Sequence, residues 1–330
     1  MFKKVKSKLG IYMQNEQLPL LLLLIVLCAL LTFFTPVFFT FDNMMNILRA
    51  ASLVAITGVG MLIVILVGEI DLSVGSTYAL SGVTGAAVLS ITNNFFLALV
   101  AVLLLGILIG ALNAFFVVKG KVNSLIATMG SMAIIRGVTM VTTQARSIQV
   151  TLDSFVEFGT GYWGPFPKPL VIAIVLIVLV GYILKHTSFG RYIYAVGGNS
   201  NAAKLAGIAV GRIKFIAYMI VGVLASLSGF ISAARMNSGQ PTAGNGFEME
   251  VISAVIFGGA SLNGGRGTLL GAMTGVLILS VLQNGLVLMQ IDPFYHNIVR
   301  GAVIIFAVFI DERRKEGLTK ILLKAKSQQA

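Results

Sequence analysis

Long apolar runs with almost no charge recur along the whole chain, and they constrain the fold more than any other feature. Read between polar breaks, ten runs stand at about residues 18–39, 47–67, 72–91, 95–118, 122–142, 169–184, 213–235, 249–260, 268–289 and 296–310. A helix that crosses a hydrocarbon core of ~30 Å needs about 20 residues. Apolar residues make up 57% of the chain and charged residues 11%, where a water-soluble domain carries about a quarter charged residues. A chain this apolar has too little polar surface to cover itself in water. The expectation is an all-α polytopic membrane protein, one integral membrane domain over residues 1–330, with about ten transmembrane helices. The eighth run is too short for a straight crossing at 1.5 Å per residue. It is either a half-helix or continues into the loop before it.

The net charge of +12 is placed as an orientation signal rather than a nucleic-acid signal. With the N-terminus inside, 18 of the 24 Lys and Arg fall in inside segments, as the positive-inside rule requires. Only Arg49, Arg136, Arg146, Lys168, Arg235 and Arg300 lie in spans or outside. This gives an N-in, C-in chain with a cytoplasmic N-terminal segment (1–17), a cytoplasmic loop (185–212) and a cytoplasmic tail (311–330). Lys3, Lys4, Lys6 and Lys8 resemble the basic region of a signal peptide. The run that follows is too long for one and has no small-residue cleavage site, so it reads as a retained first helix. The single cysteine, Cys28, can form neither an internal disulfide nor a thiol metal site.

Little here suits catalysis. The phosphate-loop pattern is missing, since Gly120-Lys121 is followed by Val122. His186 and His296, the only histidines, are too far apart for a metal site or a triad. The outside loop 143–168 carries Tyr162, Trp163, Pro165 and Pro167, and aromatics there suit the headgroup interface.

Three polar interruptions stand out. In the inside loop, Gly197-Gly198 are expected to break the chain. Asn199 or Ser200 can then cap a short helix through Ala202, Ala203, Leu205 and Ala206, with Gly207 stopping it before Ile208. A helix of about two turns needs a partner surface. It is either a dock for a cytoplasmic protein or an ordinary capped loop helix. The second interruption, residues 68–76, sets Glu69, Asp71, Ser73 and Gly75 between apolar spans. These carboxylates either face a water path or sit solvated in a surface loop. The third, residues 258–268, holds Gly258, Gly259, Ser261, Asn263, Gly264 and Gly265. It is either irregular backbone facing water or protein or a plain interhelical turn. Arg136, in the middle of the fifth run, needs a carboxylate or the bundle interior. Gly106 and Gly110, with Gly82 and Gly85, suit close helix packing. A faint echo relates Ile70-Asp71-Leu72-Ser73 to Phe247-Glu248-Met249-Glu250, five spans apart, as an inverted repeat with broken helices would place them.

These motifs resemble those of the permease subunits of bacterial simple-sugar ABC importers, the ribose, xylose, arabinose and galactose group. Residues 68–76 are similar to that family's G-G-I-D-L-S-V-G-S. Residues 190–208 are similar to G-R-x-x-Y-A-x-G-G-N-x-x-A-A-x-x-x-G-I, and residues 248–267 to E-L-x-x-I-A-A-V-V-I-G-G-T-S-L-x-G-G-x-G. Asn284-Gly285-Leu286 matches a later N-G-L. Glu69, Ser253, Phe257 and Ala260 stand where the family has Gly, Ala, Ile and Thr. The resemblance implies that residues 199–208 are a coupling helix for a separate ABC ATPase, which holds ATP and Mg; no cofactor is expected in this chain. It further implies an extracytoplasmic sugar-binding protein and a second permease copy. A different mechanism, an ion-coupled sugar transporter using Asp71, Glu69 and Arg136, also stands at this point.

Overall fold

The computed structural model describes residues 17–292 and, beyond them, Tyr295, Ile298, Val299, Gly301, Ala302 and Ile305. The basic N-terminal segment, the tail 311–330, His296 and most of the tenth run lie outside the described residues. In chain order the elements are α1 (Leu18–Phe34), α2 (Phe41–Leu66), α3 (Val74–Thr92), α4 (Phe95–Ala114), α5 (Ser124–Thr143), β1 (Ile148–Gln149), α6 (Asp153–Thr160), β2 (Tyr162–Trp163), β3 (Phe166–Pro167), α7 (Lys168–His186), α8 (Ser188–Gly198), α9 (Ser200–Leu205), α10 (Val210–Arg235), β4 (Ser238–Gly239), α11 (Phe247–Phe257) and α12 (Leu269–Leu288). A π-helical turn, Phe115–Lys119, extends α4.

Seven of the described helices are long and apolar enough to cross a membrane: α2, α3, α4 with its π turn, α5, α7, α10 and α12. The expected first span is shorter than its apolar run, because α1 ends at Phe34 and the chain turns before Phe41. The second begins six residues earlier than its run, since Phe41, Asp42 and Asn43 open the helix.

From α1 to α10 the successive long helices alternate in direction and define two ends, and α12 runs the same way as α10 because the short α11 returns the chain to the base between them. The base carries the connectors 67–73, 120–123, 187–209 and 258–268. The crown carries 35–40, 93–94 and 144–167. Contacts across the molecule fix this arrangement. At the base Gly265 N donates to Leu66 O (2.9 Å). At the crown Arg49 Nη2 donates to Tyr162 Oη (2.6 Å), and Asn43 and Asn284 exchange side-chain hydrogen bonds.

α2 and α10 form the centre. Every residue from 51 to 66 is buried, as expected for a helix that is apolar all round. The α10 helix achieves its contacts with small residues. A Cβ on Gly106 of α4 would come 2.5 Å from Gly222 O, one on Gly110 would strike Tyr218 O, and one on Gly82 of α3 would lie 3.1 Å from Gly229 O. Gly85 leaves room for the Phe230 ring. The glycine pairs read from the sequence are therefore close helix contacts. By contrast α5 and α7 turn exposed apolar faces outward, among them Ile134, Val138, Val175 and Val178.

At the crown, α6 sets Phe155 and Phe158 against Phe230 and Phe95 in a small aromatic core. The β2–β3 hairpin pairs Tyr162 with Pro167 and Trp163 with Phe166, with all three aromatics exposed. Strand β1 pairs antiparallel with β4.

The eighth crossing is the main departure from regular helices. After α10 the chain does not turn straight into a span. β4 packs against α3, where Gly239 lies against Gly82, Val83 and Ala86. The chain then runs back toward the base in irregular conformation as far as Gly244, which sits against Gly75. Only there does α11 begin, and its 11 residues span about 16 Å, half a hydrocarbon core. The eighth run is thus a half-helix preceded by irregular chain.

Candidate functional site

The short helix α9 is built from its two ends. Asn199 is extended (φ −158°, ψ 100°), and its Oδ1 accepts from Ala202 N at 2.9 Å, the geometry of an N-cap. At the other end Gly207 has φ +82°. Gly207 N donates to Lys204 O and Ile208 N to Ala203 O, both at 3.0 Å. That pair of bonds is a Schellman closure. Only Ala203 of α9 is buried, at 5% exposure, whereas Leu205 is 91% exposed. Gly197 and Gly198 do not break the chain as expected. They end α8, a helix of 11 residues that the sequence reading missed; the break falls at Asn199.

The two glycines have another use. Three backbone segments meet at the base with no room for side chains. A Cβ on Gly197 would collide with Leu66 O and Gly265 N, and one on Gly265 would lie 2.6 Å from Gly198 N. One on Gly264 would lie 2.8 Å from Gly68 N and 3.1 Å from Gly197 Cα. Gly68, Gly264 and Gly265 also take φ of +80°, +81° and +70°, a region that excludes most other residues. Nearby, Gly258 packs against Gly271 of α12, Gly259 has φ +94°, Ser261 is buried and Asn263 O lies 3.6 Å from where a Gly68 Cβ would stand. Tyr194 Oη of α8 donates to Gly267 O (3.1 Å). Burial pushes that phenol above its ordinary pKa, so it stays a neutral donor. Residues 258–268 are therefore irregular backbone packed against protein rather than a plain turn: the glycines form an interlocked junction while Asn263, Arg266 and Thr268 stay exposed.

The connector 67–73 leaves this junction and leads into α3. Glu69 pairs with Lys214 of α10. Asp71, 1% exposed, accepts from Ser73 N (2.8 Å) and Ser73 Oγ (2.6 Å), while Asn113 Nδ2 of α4 donates to Ser73 Oγ (2.8 Å) and lies 3.3 Å from Asp71 Oδ2. Leu72 N donates to Thr128 Oγ1 of α5 (3.0 Å) and Tyr218 Oη of α10 to Ile70 O (3.2 Å). Side chains of α5 and α10 thus satisfy irregular backbone inside the bundle, as burial demands, while Asn113 of α4 holds the Ser73 and Asp71 side chains.

Arg136 belongs to a separate group. Its Nη1 donates to Pro241 O (2.9 Å) and Ala243 O (2.8 Å), and its Nη2 approaches Gly75 O (3.4 Å). Glu248 lies in contact with Gly75 and within electrostatic reach of Arg136. Arg136 thereby holds the irregular chain before α11 against α3.

The expected residues divide into three sets: Gly197, Gly198, Gly264 and Gly265 at the junction; Asp71 and Ser73 in the buried connector; Gly75, Arg136 and Glu248 beside α11. Glu69, Asp71 and Arg136 do not converge. Sequence reasoning missed Asn113, Thr128, Lys214 and Tyr218, whose only signal is a lone polar group inside an apolar run. Among the described residues no three His, Cys, Asp or Glu side chains are grouped to hold a metal. A cavity of about 540 Å³ opens between α9, the start of α10 and the π turn, lined in part by Glu69, Asn201, Lys204, Arg212 and Lys214.

A family profile described as "Branched-chain amino acid transport system / permease component" matches residues 43–308. The chain is similar to the ribose import permease protein of Escherichia coli (strain K12), 44% identical over 299 residues, covering 89% of this chain and 93% of that one. It is 38% identical over 293 residues to the ribose import permease protein of Bacillus subtilis (strain 168), covering 88% and 91%. It is also 37% identical over 306 residues to the L-arabinose transport system permease protein of Escherichia coli (strain K12), covering 93% and 92%. No solved structure matches it.

Proposed function

Because this chain belongs to the permease subunits of bacterial simple-sugar ABC importers, we propose that it passes a ribose-like monosaccharide across the cytoplasmic membrane. ATP is hydrolysed in a separate ATPase chain, which holds the ATP and Mg. The chain crosses the membrane ten times with both ends inside, so the base faces the cytoplasm. A sugar-binding protein delivers cargo at the crown, and a second permease copy completes the assembly.

The observation that carries the docking role is Leu205. A large apolar side chain, 91% exposed on a six-residue helix capped at both ends, is left almost uncovered by the described residues. Burying such a side chain is worth about 1.5–3 kcal/mol, which a groove on the ATPase would recover. The helix lies directly after Gly197-Gly198; Gly197 abuts Leu66, immediately before the 67–73 connector, and both glycines abut Gly265 of the 258–268 connector, whose Gly264 in turn meets Gly68. Displacement of α9 on ATPase closure is thereby passed to α3 through one connector and to α11 and α12 through the other.

The test is co-purification. Leu205→Glu should leave the permease folded in detergent and abolish recovery of the ATPase with it. Ala203→Glu is the poorer choice, because Ala203 is buried and its loss would disturb the helix seat. Retention of the ATPase by Leu205→Glu would remove α9 as the dock. The ion-coupled alternative has less support: Glu69 is paired with Lys214, Asp71 is enclosed by Ser73 and Asn113, and Arg136 is bound to carbonyls elsewhere.

A further inference from the structure

Irregular backbone at membrane depth is tolerated only where it is buried in protein or lines water. Residues 240–246 are irregular and lie near mid-depth on two counts. Arg136, which holds the Pro241 and Ala243 carbonyls, is the thirteenth of the 20 residues of α5, about 18 Å along that helix. From the other side, only the 11 residues of α11, about 16 Å, separate this chain from the base. Yet the segment is not fully covered: Pro241 is buried and the glycines are half-buried, but two side chains face outward. Thr242 and Asn245 are exposed, and Met249, on the first turn of α11, is 43% exposed. Such a surface differs from the exposed faces of α5 and α7, which are apolar at the same depth and suit lipid.

We propose that the strip formed by Thr242, Asn245 and Met249 lines the aqueous path and forms hydrogen bonds with a neutral polyhydroxyl solute as it passes. The inference rests on the sugar-import reading for the identity of its cargo. Its chemistry fits that cargo: a hydroxyl and a carboxamide both donate and accept and carry no charge, and Met249 offers an apolar surface for the C–H face of a sugar ring. The glycines at 244 and 246, with φ of +69° and +74°, let the backbone turn here without side chains filling the passage. Arg136 acts from behind as a positioning residue, its guanidinium spent on the carbonyls that shape the strip.

The test is thiol accessibility in the full transporter, permease with its ATPase, in membrane vesicles. Cys28, in α1, is first replaced by alanine. Thr242→Cys and Asn245→Cys are then compared with Val178→Cys, which is 65% exposed near the middle of the apolar helix α7. A water-soluble trimethylammonium methanethiosulfonate should modify the first two at least about ten-fold faster than the third, since only the former would meet water at mid-depth. Modification should also block ATP-driven sugar uptake. Rates as slow as at Val178→Cys would overturn the proposal, placing the strip against lipid or protein. So would efficient disulfide formation between two copies of Thr242→Cys with no reaction toward the reagent, which would make the strip a protein contact. If one variant fails to reach the membrane, the other decides. A Cys28→Ala parent that takes up no sugar would count against the import reading alone, while the labelling rates would still judge the surface.

Discussion

Arg136 illustrates how one side chain can hold an element in place within an apolar bundle. The sequence placed a charge in the middle of a span and required a partner for it; the partners are the carbonyls of Pro241 and Ala243, which no pattern in the chain announces. Arg136→Leu would leave those two acceptors without their donor, at about 1–3 kcal/mol for each that stays dry. The expected result is a clear loss of thermal stability in detergent, measured by the unfolding midpoint. Arg136→Lys should recover part of it, since an ammonium can reach one carbonyl but lacks the guanidinium fork. The cap at Asn199 and the stop at Gly207 are the opposite case. Both were legible, because capping is a local matter decided within a few residues.

At the scale of elements, glycine content acquires specific meaning. Gly110 of α4 lies against the Tyr218 carbonyl, whereas nothing stands within 4 Å of the Cβ position of Gly130 on α5. Gly110→Leu should therefore force α4 and α10 apart, at about 1–3 kcal/mol of overpacking or more. Gly130→Leu should leave the unfolding midpoint nearly unchanged, and equal loss in both would contradict the packing described. The glycine junction makes a sharper prediction. Gly265→Ala adds the cost of a left-handed residue, about 1–2 kcal/mol, to a Cβ 2.6 Å from Gly198 N. The ATPase should still co-purify, because α9 keeps both its caps, but ATP-driven uptake should be largely lost. Loss of the ATPase together with uptake would mean that the junction supports the dock rather than passing on its motion. Helix α8 escaped sequence reading because Gly197-Gly198 look like a break. Their missing side chains serve contact with segments about 130 and 70 residues away, at Leu66 and Gly265, and distant contact leaves no local signature.

For the whole molecule, the distribution of Lys and Arg makes orientation testable. The proposed orientation puts the crown outside, so alkaline phosphatase joined after Gly164, in the β2–β3 hairpin, should be active. The same proposal puts both termini inside, so a green fluorescent protein joined after Ala330 should fluoresce; the reverse pattern would invert the topology. Apolar run length and charge placement sufficed for the helical membrane class, the approximate spans and the capped helix α9, because lipid imposes its length and polarity requirements on each segment separately. The half-helix α11, the irregular chain beside α3, and the separate partners of Glu69, Asp71 and Arg136 were decided only by tertiary structure. Each depends on which distant groups satisfy a buried backbone or leave space for it, and that is a property of the packed bundle rather than of any one stretch of sequence.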